Sequence, residues 1–270
     1  MRSDRGPQVT PTDHAVLGPL AEHRILITPQ VAVLLGVAEQ TAEKRLRRLR
    51  EAGLLHYGRT LTGGPGIASI SRRGLELLED PAPEPSENLR AYRHDVGVGW
   101  LWLGARDGAF GALSSVVTEQ TMRAADSAGR PTAQGAAHGL GLGLLGPHGR
   151  PQRHYPDLVM HTESGHRIAV ELELTAKSRP RMARIMTAYA TDPRIDAVVY
   201  LVPTPQLATL VSDAARRAGI ADLVDVRAVA KDRIHGVGDD RTSPRASSRG
   251  ASAPRTRPFG RSGAELGAGR

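Results

Sequence analysis

Three acids and a lysine have the types and spacing to do chemistry together. Asp157 opens a short apolar run, residues 157–161. Glu171 and Glu173 lie in a second run, 168–174, where Val170, Leu172 and Leu174 alternate with Ala169, Glu171 and Glu173. Such alternation predicts a strand, and residues two apart in a strand share a face. Antiparallel pairing of the two runs would bring Asp157 beside the glutamates. Carboxylates clustered at a strand pair can hold Mg²⁺ through oxygen ligands. Asp157 and Glu171 are the expected metal ligands, with Glu173 and Lys177 completing the candidate catalytic set. A cation held there could activate water against a phosphodiester. Acids on the wet face of a strand edge, or a fold of this kind without catalysis, would give the same pattern.

A second set reads as a DNA-contacting face. Residues 38–52 predict a helix whose apolar positions Ala42, Leu46 and Leu49 must face inward. Gln40, Thr41, Lys44, Arg47 and Arg48 fall on the opposite face, with Arg45 beside them. Gln and Arg are the residues that read A and G edges bidentately, while Lys more often meets phosphate. Arg59 and the Thr60 hydroxyl, a little further on, would reach the backbone. The alternatives are a solvated basic face and a protein-interaction domain.

Other reactive types form no such pattern. None of the 10 histidines has metal-ligand spacing. His148, His154, His161 and His166 read as exposed bystanders, and His94-Asp95 as a capping or hydrogen-bonding pair without a catalytic role. The GLGLGLL stretch at 139–145 has no strand before it and no clear helix after it, so it makes a poor phosphate loop.

These residues need elements to position them. Thr28 is the expected cap of a helix with Pro29 in its first turn, and Gly36 closes that helix. A leading helix at 13–24 is expected to break at Gly18 and Pro19. After the basic helix, 54–61 and 67–70 flank a TGGPG turn and read as a hairpin. Ser71 then caps a short helix. Together these make a winged helix-turn-helix over 13–79, behind a loose arm at 1–12. A Pro-rich linker at 80–87 follows. Residues 88–230 predict an α/β domain with a mixed sheet: a helix at 88–106, a strand at 113–117, and a short helix at 121–125. A long loop at 127–152 precedes the two acid-bearing strands. A helix at 180–191, a strand at 195–202, a helix at 205–218 and a strand at 224–230 complete it. The class is α+β overall. The basic tail, 231–270, is expected to be disordered.

Composition sets outer bounds. In 270 residues, Lys and Arg number 36 against 28 acids, a net charge of +8. That balance favours polyanion partners, although part of the excess lies in the tail. With no cysteine, disulfides and thiolate chemistry are excluded, which fits a reducing cytoplasm. No signal-peptide core and no membrane-length apolar run are present, so a cytoplasmic location and no membrane partner are expected. Aromatics make up 3%, which argues against base-stacking platforms.

The acid-bearing strands and the elements around them resemble the PD-(D/E)xK nuclease core. Over roughly 13–230 the chain resembles the replication-relaxation family of bacterial plasmids and integrative elements. That family joins an N-terminal winged helix to a C-terminal nuclease-like domain. The matching stretches are TPQVAVLLGVAEQTAEKRLRRLREAGLL, HDVGVGWLWL, PDLVM, IAVELELTAKS and RMARIMTAY. Glu171, Glu173 and Thr175 follow the family's acid-x-acid-then-Thr pattern, and Arg184 stands where it often has Lys. The departure is Glu173, where the nuclease pattern has Lys; Lys177 or Arg184 would substitute, and Glu119 would be a further acid. The resemblance implies double-stranded DNA as partner and a role in replication, relaxation or transfer of a mobile element. Other replication or transfer proteins are implied partners, and winged helices often act as homodimers. It leaves three activities open: DNA binding with a nuclease-like domain used for assembly, Mg²⁺-dependent cleavage, and plain transcriptional regulation.

Overall fold

Gly36 sets the first corner of the fold. Its left-handed backbone (φ 64°) ends one helix and frees the next to leave at an angle. The computed structural model describes residues 9–59, 64–85, 90–133 and 135–229. All of these fall in one compact unit. The expectations for the arm at 1–8, Thr60 and the tail from 231 lie outside the described residues.

The N-terminal half contains α1 (Pro11–Glu22), β1 (Leu26–Ile27), α2 (Thr28–Leu35), α3 (Glu39–Glu51), β2 (Leu55–Gly58), β3 (Ile67–Ile70) and α4 (Arg72–Leu77). The strands pair antiparallel in the order β1-β3-β2. Thr10 and Asp13 cap α1 reciprocally, so the helix begins inside the expected arm. Pro19 lies within α1 without ending it. Thr28 is not a cap, since Ile27 holds that position. Its hydroxyl instead donates to the Gly66 carbonyl at 3.2 Å and meets the Tyr57 hydroxyl at 2.9 Å, which ties α2 to the hairpin. Ser71 does cap α4, accepting the Gly74 N–H. Val16, Leu17, Leu20, Val31, Leu46 and Ile70 are fully buried at the centre of this half.

The C-terminal half contains α5 (Tyr92–Arg106), β4 (Leu113–Thr118), α6 (Glu119–Ser127), β5 (Leu140–Leu145), β6 (Pro151–His154) and β7 (Leu158–Thr162). Then come β8 (Arg167–Leu172), α7 (Arg179–Thr191), β9 (Ala197–Val202), α8 (Pro205–Arg217) and β10 (Val224–Ala228). The five-stranded sheet runs β10-β9-β8-β7-β4. Its first two junctions are parallel and its last two antiparallel, the mixed sheet expected from the sequence. Trp102 and Leu103 of α5 pack on one face, against Leu158, Met160, Val170, Val199 and Leu201. Ile185, Met186 and Tyr189 of α7, with Leu207 and Val211 of α8, cover the other. β9 is therefore covered on both faces, as its continuous apolar run requires.

The expected long loop at 127–152 is corrected. β5 and β6 form an antiparallel hairpin there. Leu140 is buried and Leu142 packs against the α7 core, while the intervening glycines add no side chain to the period-two pattern. Glycine hides such a strand from sequence reading.

α5 joins the two halves, so the Pro-rich stretch does not separate two free bodies. Tyr92 and Val96 pack with Ile25, Ile27 and Ile67. The fully buried Gln30 accepts the Ile27 N–H at 3.0 Å and donates to the Val96 carbonyl at 2.7 Å. Gly99 leaves room for this, because a Cβ there would lie 2.6 Å from the Gln30 Nε2. Among the described residues no helix is long and apolar enough to cross a membrane.

Candidate functional site

The pairing Leu158↔Val170 places Asp157, just before β7, beside the end of β8. The Asp157 Oδ2 accepts the Leu172 N–H at 2.7 Å and meets His94 Nε2 at 3.2 Å. The Glu171 Oε1 meets His154 Nε2 at 2.5 Å and accepts the Tyr189 hydroxyl. Glu173, one residue past β8, donates its N–H to the Leu201 carbonyl at 3.0 Å and accepts the Lys177 ammonium. All three acids are buried. A buried carboxylate needs partners, and each of these has them.

The environment separates their protonation. Burial raises the Glu171 carboxyl, but the charge and hydrogen bond of His154, with Lys177 and Tyr189, outweigh it and hold it below the usual range. Burial raises the Glu173 carboxyl; Lys177 opposes this, and the charges of Glu171 and Asp157 add to it, so it ends above its ordinary value. Burial disfavours a charged His94, yet Asp157 and Asp95 overcome this and lift it to about 10. His94 is thus an imidazolium at neutral pH. Burial, then the charge of Glu171, drives the Tyr189 phenol well above 10.

The four residues expected to act together are therefore brought together. Arg184 is not part of the set: it is exposed on α7 and makes no ion pair among the described residues. Glu119 donates its N–H to the Asp157 carbonyl at 3.0 Å, but its carboxylate engages Arg24 at 3.4 Å and Arg123 at 2.7 Å. Sequence reading missed His94, His154 and Tyr189. His154 reads as a bystander and His94 as a capping or hydrogen-bonding partner of Asp95, because nothing in their spacing links them to acids 17 and 63 residues away.

The donor chemistry is three carboxylates, which suits a hard cation, and Asp157 and Glu171 would hold it. One oxygen of each carboxylate already bears protein partners. Imidazolium His94 and Lys177 supply positive charge at the same place. Among the described residues, no three His, Asp or Glu side chains stand as a ready ligand group.

The α3 face is built differently. Gln40, Thr41, Lys44, Arg47 and Arg48 are exposed, and Arg45 is half-buried. Arg45 donates to Asp13 Oδ1 at 2.7 Å, and Arg48 donates to the same oxygen. Burial raises the Asp13 carboxyl; hydrogen bonds from Thr10, Arg48 and Arg45 outweigh it and bring it down to about 2. Arg47 donates to Glu43 at 2.7 Å, and Arg59 approaches the same oxygen at 3.8 Å. Set against protein-family models the sequence matches none, and a search of curated proteins returns no match.

Proposed function

We propose that this chain is a cytoplasmic double-stranded DNA-binding protein of the replication-relaxation kind, acting in replication, relaxation or transfer of a mobile element. In this proposal 13–79 is a winged helix-turn-helix, and the C-terminal half is a nuclease-like domain. The carrying observation is the exposed row Gln40, Thr41, Lys44 and Arg47 on α3, between the Gly36 turn and the β2–β3 hairpin. Such a second helix enters the major groove, while the hairpin meets flanking phosphates. Gln40 and Arg47 are then the base readers. Lys44 and Arg59 serve the backbone, and Arg45 and Arg48 brace the helix through Asp13. Binding-site selection from random duplexes tests this. Gln40→Ala with Arg47→Ala should lower the preference for the selected site by about 5- to 150-fold per lost bidentate contact. A retained preference would mean that α3 is not the reader.

A second reading is favoured by the convergence of Asp157, Glu171, Glu173 and Lys177. It makes the protein a Mg²⁺-dependent endonuclease addressed by α3. The wild-type protein should then nick supercoiled DNA with Mg²⁺ or Mn²⁺, and Asp157→Asn or Glu171→Gln should abolish nicking while the fold persists. If the wild type nicks with neither ion, the acids are structural.

A further inference from the structure

We propose that the outer face of α7 is a second duplex-DNA contact, one that grips the phosphate backbone without reading sequence. The inference rests on the proposal that duplex DNA is the partner, but on none of the α3 residues. Between Leu174 and Thr191 the sequence carries Lys177, Arg179, Arg181 and Arg184 and not one acid. Lys177 turns in to Glu173. The three arginines are exposed and make no hydrogen bond or ion pair among the described residues. Arg179 and Arg217 of α8 both line a groove of about 580 Å³ with Met182 and Val211; its two acids, Glu173 and Asp213, are engaged by Lys177 and Arg216.

The fold gains nothing from this arrangement. Cations in the first turn of a helix oppose its dipole, and that turn of α7 holds no acid. Arg181 and Arg184 lie one turn apart, where like charges repel. A local choice that works against stability with no partner in the chain marks a surface used for something else. What is missing is negative charge. Arg184 lies on the outer face and Arg181 within a turn of it, while Arg179 projects from the opposite flank beside α8, so the three fan around the first two turns of α7 within a rise of about 7 Å. Duplex DNA presents roughly four charges over that length. Guanidinium forks match phosphate oxygens bidentately. This end of α7 starts two residues after Lys177, which meets Glu173, so a backbone held there would lie beside the acid cluster.

The test measures the salt dependence of binding to a random-sequence duplex, by fluorescence anisotropy on the full chain. Compared are the wild type, Arg179→Gln/Arg181→Gln/Arg184→Gln, the corresponding triple Lys variant, and Gln40→Ala/Arg47→Ala. Each lost phosphate contact should reduce the slope of log affinity against log salt by about 0.9. The triple Gln variant should therefore lose up to about 2.7 of slope and at least about tenfold in affinity, while its preference for a selected site stays. The triple Lys variant should keep the slope. Since the arginines are exposed, unpartnered and unfavourable to the helix dipole, the circular dichroism melt of the triple Gln variant should not fall and should rise by no more than a few degrees. An unchanged slope in the triple Gln variant overturns the α7 contact and leaves α3 as reader untouched. A changed slope, with site preference surviving Gln40→Ala/Arg47→Ala, upholds α7 and removes α3. No duplex binding by the wild type at low salt removes both.

Discussion

Helices α3 and α7 each run for 13 residues, and each presents arginines to solvent. On α3 three arginines are held by acids: Arg45 and Arg48 share Asp13, and Arg47 shares Glu43 with Arg59, which follows β2. On α7, Arg179, Arg181 and Arg184 have no acid near them in sequence, and no ion pair forms among the described residues. Formal charge would rank α3 as the stronger polyanion site. Geometry reverses that, because a cation already paired inside the chain releases less on meeting phosphate. What α3 gains is fixed side-chain geometry, which base reading needs and backbone gripping does not.

The comparison breaks most visibly at Asp13. Asp13→Ala removes one half of the α1 capping box, leaving the Thr10 cap, and frees both arginines at once. Loss of that half costs about 0.5 kcal/mol, and losing the carboxylate that two partly solvated arginines share adds about 1 kcal/mol. A loss of about 1–2 kcal/mol in urea denaturation is expected, from the half-box and the ion pairs together. The freed arginines should also steepen the salt dependence of DNA binding, making α3 behave like α7. The sign with pH follows from a carboxyl lowered to about 2. Its stabilisation is full above the ordinary carboxylate range and is lost as pH falls toward 2. Asp13→Asn should remove that acid-side loss.

Asp13 also shows what sequence could and could not give. The helices, the hairpin and the mixed sheet were legible because their periodicities are local. The alternation at 168–174 even placed Asp157 beside Glu171 and Glu173 correctly. What escaped was non-local or glycine-masked. Asp13 reads as an ordinary first-turn acid, and only packing of α1 on α3 brings it to Arg45 and Arg48. His154 and Tyr189 reach Glu171 from a hairpin and a helix that pack together, neither near it in sequence. β1 is two residues long and owes its existence to β3. β5 was lost in its glycines.

For α3 and α7 to act on one duplex they must sit on one body, and His94 is part of that joint. It links α5 to Asp157, while α5 takes the Gln30 hydrogen bond from α2 and Arg24 spans to Asp95 and Glu119. An imidazole raised to about 10 contributes stability that is whole below its unfolded value of 6.5 and is lost as pH rises through 10. The wild type should therefore lose stability across that window, read as a falling urea midpoint. His94→Gln should be less stable at pH 6 and flatter with pH. A wild-type midpoint level from pH 6.5 to 10 would show that the His94 charge does not hold the joint.

The smallest effect is the sharpest test, because it exchanges the two helices' character without touching a core. Glu43→Gln leaves Arg47 and Arg59 unpaired, as the α7 arginines are. Thr187→Glu sets an acid one turn from Arg184 on an exposed position, where the Thr hydroxyl only returns a bond to the Ala183 carbonyl. A surface pair at this spacing changes stability by about 0.2–0.5 kcal/mol, so both variants should melt within a degree or two of the wild type. Their binding to random duplex should move in opposite directions. Glu43→Gln should steepen the salt slope by about 1, and Thr187→Glu should shallow it by about 1. If both variants shift the slope the same way, or neither does, then pairing within the chain is not what distinguishes α3 from α7, and the exposed arginines of α7 are only a solvated face.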